Sequence, residues 1–439
     1  MFSTIVALAT ANLNAAIHVI RISGPKAFLI INNVLNKPVP DVSHRIFYRF
    51  IVDNNRTYDE VLINTFKAPN TFTGEDVIEI NCHGGVVVAN LIIELLIKYG
   101  CEYAQRGEFS RRALMNNKMD LTKVEAINNL VNAKNELVVN ASMNALRGYV
   151  SDDIKNIRNQ LFLLIGQMQV NIDYPEYDDV PEISNSDLIK SLQDINQQID
   201  ILLTRSQRYM PINEGIKVLI IGQPNVGKST LLNALANEEK AIVSNIPGTT
   251  RDVIETFINI DGFSLKIYDT AGIHETNDVI EGMGIKKAIN LIDQVDLILY
   301  LIDNENLDSL IYDQIKDHKH LVVHTKKDLV SSFNKDYIYI NAKANEIDPL
   351  IKTIKEQFKI NEFTDINLNV LASHRQIGLL KQVYEIINRV LFNLIQNNAT
   401  IDLIIADLEV CNLKLLELLG DSKEYDFLDE LFANFCLGK

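Results

Sequence analysis

Residues 222–229 read Gly222-Gln223-Pro224-Asn225-Val226-Gly227-Lys228-Ser229, the spacing G-x-x-x-x-G-K-S, and they follow the apolar run Val218-Leu219-Ile220-Ile221. Glycines at both ends let successive backbone N–H groups curl around phosphate oxygens. A lysine at this spacing reaches the outer phosphates, and a serine hydroxyl at a helix N-terminus can ligate magnesium. Lys228 and Ser229 are expected in those roles, with Asn225, Val226, Gly227 and Thr230 completing the cradle. A glycine-rich turn before an ordinary helix would share the glycines, but the strand before and a helix over 229–235 favour a nucleoside triphosphate site holding Mg2+.

Four later segments bear on the nucleotide. Gly248-Thr249-Thr250 lies in a polar connection, where Thr250 would complete the magnesium shell. Asp269-Thr270-Ala271-Gly272 ends a strand over 265–268; Asp269 would hold magnesium through water and the Gly272 N–H would meet the γ-phosphate. Thr325-Lys326-Lys327-Asp328 follows the apolar run Leu321-Val322-Val323, and a carboxylate there accepts both N–H groups of a guanine edge, which adenine does not offer. Thr325 stands where asparagine is usual. Asn341-Ala342-Lys343 follows a strand over 337–340 and is one change from the usual Ser-Ala-Lys. In this order and spacing the segments predict GTP.

Ras-type switches place a glutamine after the Asp-Thr-Ala-Gly segment to orient the attacking water; here the residue is Ile273, which has no group for that task. Glu275, Asp278 and Glu281 offer carboxylates just beyond, either as one that polarises water or as a solvated charged loop.

The elements that must position these residues follow from periodicity. With 439 residues the chain exceeds one core. Residues 1–117 alternate strand-like runs (4–8, 17–22, 77–80) with helical ones such as 88–99, a small α+β domain. Thr122-Lys123-Val124-Glu125 has capping-box form and opens a helical region, 118–212, running to about Arg208. The α/β P-loop domain occupies 213–360, with an Asp261-Gly262 hairpin between strands over 255–260 and 263–268. Residues 361–439 return to helical spacing. Two amphipathic blocks need partners for their apolar faces, so the nucleotide domain reads as inserted in an all-α domain. Tyr174-Pro175-Glu176-Tyr177-Asp178-Asp179 interrupts the first block, as an interhelical loop or a binding motif.

A formal charge of −15 argues against a broad basic surface, so RNA contact requires a local patch or a partner protein. Cys82, Cys101, Cys411 and Cys436 show neither zinc spacing nor a disulfide pattern, which fits a reducing compartment. No apolar run reaches membrane-spanning length and no targeting segment opens the chain, so a cytoplasmic location without membrane contact is expected.

Motifs outside the nucleotide domain carry a resemblance: Arg21-Ile22-Ser23-Gly24, Pro69-Asn70-Thr71-Phe72-Thr73-Gly74-Glu75-Asp76, Cys82-His83-Gly84-Gly85, Arg106-Gly107-Glu108-Phe109-Ser110 with Arg112-Ala113, Asn117-Lys118-Met119-Asp120-Leu121, and a terminal Cys436-Leu437-Gly438-Lys439. Together with the nucleotide motifs they resemble the MnmE (TrmE) family of tRNA modification GTPases over nearly the whole chain. The resemblance implies an N-terminal domain that binds 5-formyltetrahydrofolate or methylenetetrahydrofolate and dimerises. It also implies addition of a carboxymethylaminomethyl-type group at C5 of the wobble uridine of certain tRNAs, in a heterotetramer with the flavin-containing MnmG protein. Residue by residue, Arg21, Glu79, Lys118 and Lys439 fall on folate positions and Cys436 on the family's C-terminal cysteine. Asn225 falls on a K+ ligand, with Ser244, Ile246 and Thr249 on further potassium positions; Asn245, Pro247 and Gly248 share that nucleotide-contacting stretch, and Glu281 falls on the glutamate linked to hydrolysis. A potassium ion would offset the missing glutamine as an arginine finger does.

Several residues keep a second reading. Asn225 could be a turn residue after Pro224, His83 a turn histidine, and Cys436 a core thiol. Residues 10–16 contain no glycine where the family has several, which predicts a different loop path near the folate site; residues 420–425 are fewer than usual, and His274 replaces an arginine. An assembly switch that binds RNA or ribosomal particles without covalent chemistry is the alternative, opposed by the folate-type residues. An ATPase is opposed by Asp328.

Overall fold

The computed structural model describes residues 2–173, 184–236, 243–244, 254–269, 291–304, 307–330, 332–364, 369–396, 398, 400–421, 431–432, 435 and 438. The chain forms two compact units, residues 1–128 with 416–439, and residues 129–415.

The first unit is built on a six-stranded sheet, order β3-β4-β5-β2-β1-β6. Its strands are β1 (Ile5–Leu8), β2 (Ile17–Ser23), β3 (Arg45–Asp53), β4 (Arg56–Phe66), β5 (Val77–His83) and β6 (Glu102–Tyr103). Alternation sorts their side chains. Ile20, Ile22, Ile63, Ile78 and Ile80 share one core with Ile30 and Ile31 of α1 (Ala27–Asn32) and Ile92 and Leu96 of α2 (Val86–Lys98). The opposite face carries Arg21, Glu79 and Asn64, register partners across β2, β5 and β4. Residues 10–16 are seated on the Gly84 backbone: Ala15 N donates to Gly84 O at 2.9 Å and Gly84 N to Ala16 O at 3.2 Å. A Cβ on Gly84 would lie 2.0 Å from the Ala15 carbonyl oxygen, so only glycine permits this approach.

Helix α3 (Glu108–Met115) starts from Gly107, whose φ of 67° and whose nearness to Phe432, 2.6 Å from a Cβ built there, both exclude a side chain. Helix α4 (Leu121–Val131) corrects the expected capping box. Thr122 is buried inside the helix, and the cap is Asp120, whose Oδ1 accepts from Lys123 N at 3.1 Å and from the Thr122 hydroxyl at 2.6 Å. The carboxylate two positions earlier outcompetes the hydroxyl because it accepts both bonds and suits the positive end of the helix. Phe432 and Phe435 pack on Leu114, Leu121 and Val124.

The second unit begins with α5 (Glu136–Arg147), α6 (Tyr149–Asp173) and α7 (Asn185–Glu214). Helix α7 continues through Pro211 beyond the expected end near Arg208. Tyr209 and Ile212 are buried in the core of the adjoining sheet, and that burial outweighs the hydrogen bond the proline removes. Next come β7 (Ile216–Gly222), α8 (Lys228–Ala236), β8 (Val243–Ser244), β9 (Ile254–Ile260), β10 (Phe263–Asp269), β11 (Leu297–Ile302), α9 (Ser309–Ile315), β12 (His320–His324), β13 (Ile338–Tyr339) and α10 (Asp348–Gln357). The sheet order is β13-β12-β11-β7-β10-β9-β8, parallel from β13 to β10 with β9 and β8 antiparallel at one end. It is covered on both faces, so β11 is apolar and buried at every position. Asp261 and Gly262 have φ of 48° and 89°, the left-handed pair that a tight two-residue hairpin requires. Helices α11 (His374–Ile395) and α12 (Ile401–Leu419) follow; α11 buries Leu380, Val383, Ile387 and Leu391 at helical spacing, with Ser373 as its cap. A P-loop domain thus lies within a helical domain and is preceded by a small α+β domain. Among the described residues no helix is long and apolar enough to cross a membrane.

Candidate functional site

The phosphate loop leaves β7 at Gly222, where a Cβ would lie 2.6 Å from the Leu301 carbonyl oxygen of the neighbouring β11. Asn225 takes a left-handed φ of 61° and Gly227 a φ of 100°, which turn the loop back into α8. Lys228 Nζ donates to Gly222 O at 2.9 Å, holding the ammonium across the loop. Thr325 is buried and its hydroxyl donates to Val226 O at 2.5 Å, while its N–H donates to Ile302 O at 3.0 Å. The threonine that departs from the usual asparagine therefore ties the segment 325–328 to the phosphate loop.

Between these loops lies an open cavity of about 500 Å³. Asn225, Gly227 and Thr230 line one side, and Thr325, Lys326 and Asp328 the other; Asn341, Ala342 and Lys343 close it. Asp328 is exposed on a single 3-10 turn, Lys327–Leu329. Lys326 is fixed by Asp303, Nζ to Oδ2 at 2.8 Å. Asn341 shapes the third segment through its own backbone: its N–H and C=O pair with Glu346 at 3.2 and 3.0 Å, and its Oδ1 accepts from Ala344 N at 3.2 Å. The cavity is thus lined both by the phosphate-loop residues Asn225 and Gly227 and by the Asp328 carboxylate. Asn225 is a turn residue at a left-handed φ and also lines the cavity.

Several expected residues fall outside this description. Ser244 and Asp269 are described only in their backbones, the latter ending β10 opposite Ile254. Asn245, Ile246, Pro247, Gly248, Thr249, Thr250, Thr270, Ala271, Gly272 and Glu281 lie outside the described residues, as do Ile273, Glu275, Asp278, Cys436 and Lys439.

In the first unit Arg21 and Glu79 are paired across strands. Arg21 Nε and Nη2 donate to Glu79 Oε1 at 3.0 and 2.8 Å, and Arg21 Nη1 donates to Gly438 O at 2.9 Å. The guanidinium also faces the rings of Phe72 and Phe109, 5.8 and 5.7 Å from their centroids. Lys118 is exposed, its stem lying against Gly74 of the Phe72 segment. The C-terminal segment reaches this face within the same chain. Gly438, at φ 88°, packs so close to Leu8 and Ala9 that a Cβ would lie 2.6 Å from either backbone. The α3–α4 apolar surface that receives Phe432 and Phe435 supplies the reason.

Beside it lies a buried ionic cluster that sequence reasoning missed. Arg112, 2% exposed, donates to Ser3 O at 2.6 Å, to both Glu75 oxygens at 3.2 and 3.1 Å, and to Glu108 Oε1 at 2.7 Å. Ser23 donates to Glu75 Oε2 at 2.7 Å. The cluster joins three of the motif segments, 21–24, 69–76 and 106–113, in which Glu75, Glu108 and Arg112 had no assigned role; their wide separation in sequence hid the pairing. His83 is the last residue of β5 rather than a turn histidine, its Nδ1 2.6 Å from Asp59 Oδ1, and that hydrogen bond holds its pKa above the ordinary value.

The family described as GTP-binding protein TrmE N-terminus matches residues 4–118, and the MnmE helical domain family matches residues 121–436. The tRNA modification GTPase MnmE of Ureaplasma parvum serovar 3 is 61% identical over 438 residues, 100% of each chain. That of Mycoplasmoides gallisepticum is 44% identical over 453 residues, covering 100% of this chain and 98% of the relative. That of Bacillus licheniformis is 38% identical over 458 residues, covering 99% and 100%. With a phosphate loop and both domain families in one chain, and these relatives matched over nearly their full length, the protein belongs to the MnmE family of GTP-binding tRNA modification GTPases.

Proposed function

We propose that this chain is the GTP-hydrolysing subunit of a cytoplasmic complex that installs a carboxymethylaminomethyl-type group at C5 of the wobble uridine of certain tRNAs, drawing on a tetrahydrofolate one-carbon unit. It works as a homodimer joined to the flavin-containing MnmG protein. The observation that carries this reading is the Arg21–Glu79 pair on an open sheet face, capped by the Gly438 carbonyl of the C-terminal segment. A pterin presents amino and ring N–H donors together with a carbonyl. Glu79 keeps Oε2 for the donors while Oε1 orients Arg21, whose Nη1 already faces an acceptor. Lys118 is an exposed cation for a ligand's carboxylates, Lys439 follows directly on Gly438, and Cys436 is the thiol nearest the same segment in sequence.

In the nucleotide cavity Ser229 and Thr250 would hold Mg2+, and Asn225 with Ser244, Ile246 and Thr249 would hold K+. The Asn225 side chain lines the cavity where such a ligand is needed. Potassium, when bound, supplies positive charge against the developing phosphate charge. The protein's own part is to hold Lys228 on the outer phosphates, to place water through Glu281, and to read guanine through Asp328. Mass spectrometry of wobble nucleosides from cells with and without this gene tests the proposal: the C5 modification should vanish with the gene, and its persistence would refute the assignment.

A further inference from the structure

Strands β9 and β10 form one hairpin, in register from Phe263 opposite Ile260 at its closed end to Asp269 opposite Ile254 at its open end. Because β10 runs parallel to β7, Asp269 and the loop after Gly222 leave the sheet at the same end. Residues 245–253 lead into β9 and residues 270–290 follow β10. Between them they carry Thr249, Thr250 and Glu281, the candidates for metal ligation and for placing water. The residues that line the nucleotide cavity come instead from the loops after β7, β12 and β13 and from the start of α8.

The closed end of the hairpin is held from outside it. Ser264, fully buried, lies opposite Asn259 in the ladder and donates to Asn259 Oδ1 at 2.5 Å, with the Lys134 carbonyl also within reach at 3.3 Å. Its oxygen accepts from Asn135 Nδ2 at 3.0 Å. Asn135 is the cap of α5: its Oδ1 accepts from Val138 N at 3.0 Å, and Nδ2 also donates to Ile212 O at 3.2 Å, near the end of α7. Both amide hydrogens and the carbonyl oxygen of this buried side chain are thereby used, which fixes its orientation. The neighbouring Lys134 ammonium lies 3.2 Å from the centroid of the Phe257 ring on β9. At the tip, Lys355 of α10 donates to Asp261 Oδ2 at 2.6 Å. The turn at 134–135 therefore grips both strands of the hairpin and joins them to two helices, α5 and α7.

We infer that Asn135 is a positioning residue for GTP hydrolysis: through Ser264 it fixes the β9–β10 hairpin, and with it the points from which segments 245–253 and 270–290 approach the nucleotide. The inference rests on the reading of those two segments as the hydrolytic ones. The test uses the full chain, single-turnover GTP hydrolysis in potassium chloride, and binding of a fluorescent non-hydrolysable GTP analogue. Ser264→Ala removes the shared hydroxyl; Asn135→Ser keeps a capping oxygen for Val138 N but is too short to reach Ser264 as well. Each should hydrolyse about 10-fold more slowly, within the roughly 100-fold that a displacement of about 1 Å can cost, with analogue affinity within about 2-fold of wild type. The double variant should be no slower than the slower single one, because both changes remove the same contact. Ser264→Thr, which keeps the hydroxyl, should hydrolyse as wild type does. Ser373→Ala removes a cap of the same kind from α11 and should lower the urea midpoint without slowing hydrolysis. An unchanged rate in Ser264→Ala, a loss of affinity that matches the loss of rate, additive losses in the double variant, or equal slowing in Ser373→Ala would each overturn the inference while leaving the reading of the segments standing. Full turnover in Glu281→Ala would defeat that reading, and the inference with it.

Discussion

The Thr325 hydroxyl donates to the Val226 carbonyl at 2.5 Å, so the segment 325–328 after β12 and the glycine-rich loop 222–229 are joined by a buried hydrogen bond. Replacing Thr325 by valine keeps the volume and orphans the carbonyl, which costs about 1–3 kcal/mol. Titration with a fluorescent GTP analogue should show affinity falling by about 5- to 150-fold in Thr325→Val, with Thr325→Asn much less affected because an amide can donate the same bond. Equal affinity in the valine variant would mean that the two loops are held together by other contacts.

Asp328 stands exposed at the end of the cavity opposite the phosphate loop. In Asp328→Asn the amide presents a donor where guanine needs an acceptor, and xanthine, with a carbonyl at that edge, becomes the better fit. Competition binding should reveal weakened GTP and strengthened xanthosine triphosphate. A variant that keeps its GTP preference would remove Asp328 from the base-reading role.

Ile273 leaves hydrolysis without a glutamine to place water. GTP turnover should therefore rise with potassium and with contact between two nucleotide domains, and sodium should substitute poorly because it is smaller than the site. Asn225→Ala should lose the potassium response, and Glu281→Ala should lose turnover with GTP binding intact. Phosphate-release assays in matched potassium and sodium salts decide this; equal rates in the two would exclude a potassium site.

Glu79 accepts both of its bonds from Arg21 on Oε1, and the proposed folate would use Oε2. Glu79→Ala leaves the ligand's donors unpaired and also frees Arg21, which should weaken 5-formyltetrahydrofolate by on the order of 2–3 kcal/mol. A chain lacking residues 436–439 loses the carbonyl that Arg21 binds and should weaken it as well. Calorimetric titration separates the outcomes. Equal binding by wild type and both variants would refute the residue assignments, and no binding by wild type would show that residues 10–16 have cost the site its affinity.

Burial pushes the thiol of Cys82 up to about 11 and those of Cys101 and Cys411 up to about 12, from an ordinary value near 9. A raised pKa means that the folded chain holds these protons more tightly than the unfolded one. Their contribution to stability is complete below pH 9 and is lost as pH rises from about 9 towards 12. Urea midpoints should fall over that range, and less steeply in Cys101→Ala/Cys411→Ala. At neutral pH none of the three should react with a disulfide reagent in the folded protein. Rapid labelling should then map to Cys436, as a reactive thiol requires; labelling at Cys101 or Cys411 would contradict the burial.

The sequence by itself determined what local geometry controls. Glycines and a lysine at fixed spacing after an apolar strand specify the phosphate loop, and Asp261-Gly262 specifies a left-handed turn whichever residues surround it. Periodicity likewise revealed α11, where Leu380, Val383, Ile387 and Leu391 face one way. It could not decide between Asp120 and Thr122 as a cap, nor that α7 would run through Pro211, because the first is a competition between two acceptors and the second depends on a core assembled from distant strands. Tertiary structure alone decided that Thr325 meets Val226, that Arg112 gathers Glu75 and Glu108, that Gly438 returns to Arg21, and that Lys134 and Lys266 both meet the Phe257 ring. Each pairing depends on strand register and helix docking, which are set by the burial of many residues together, so no short window of sequence carries it.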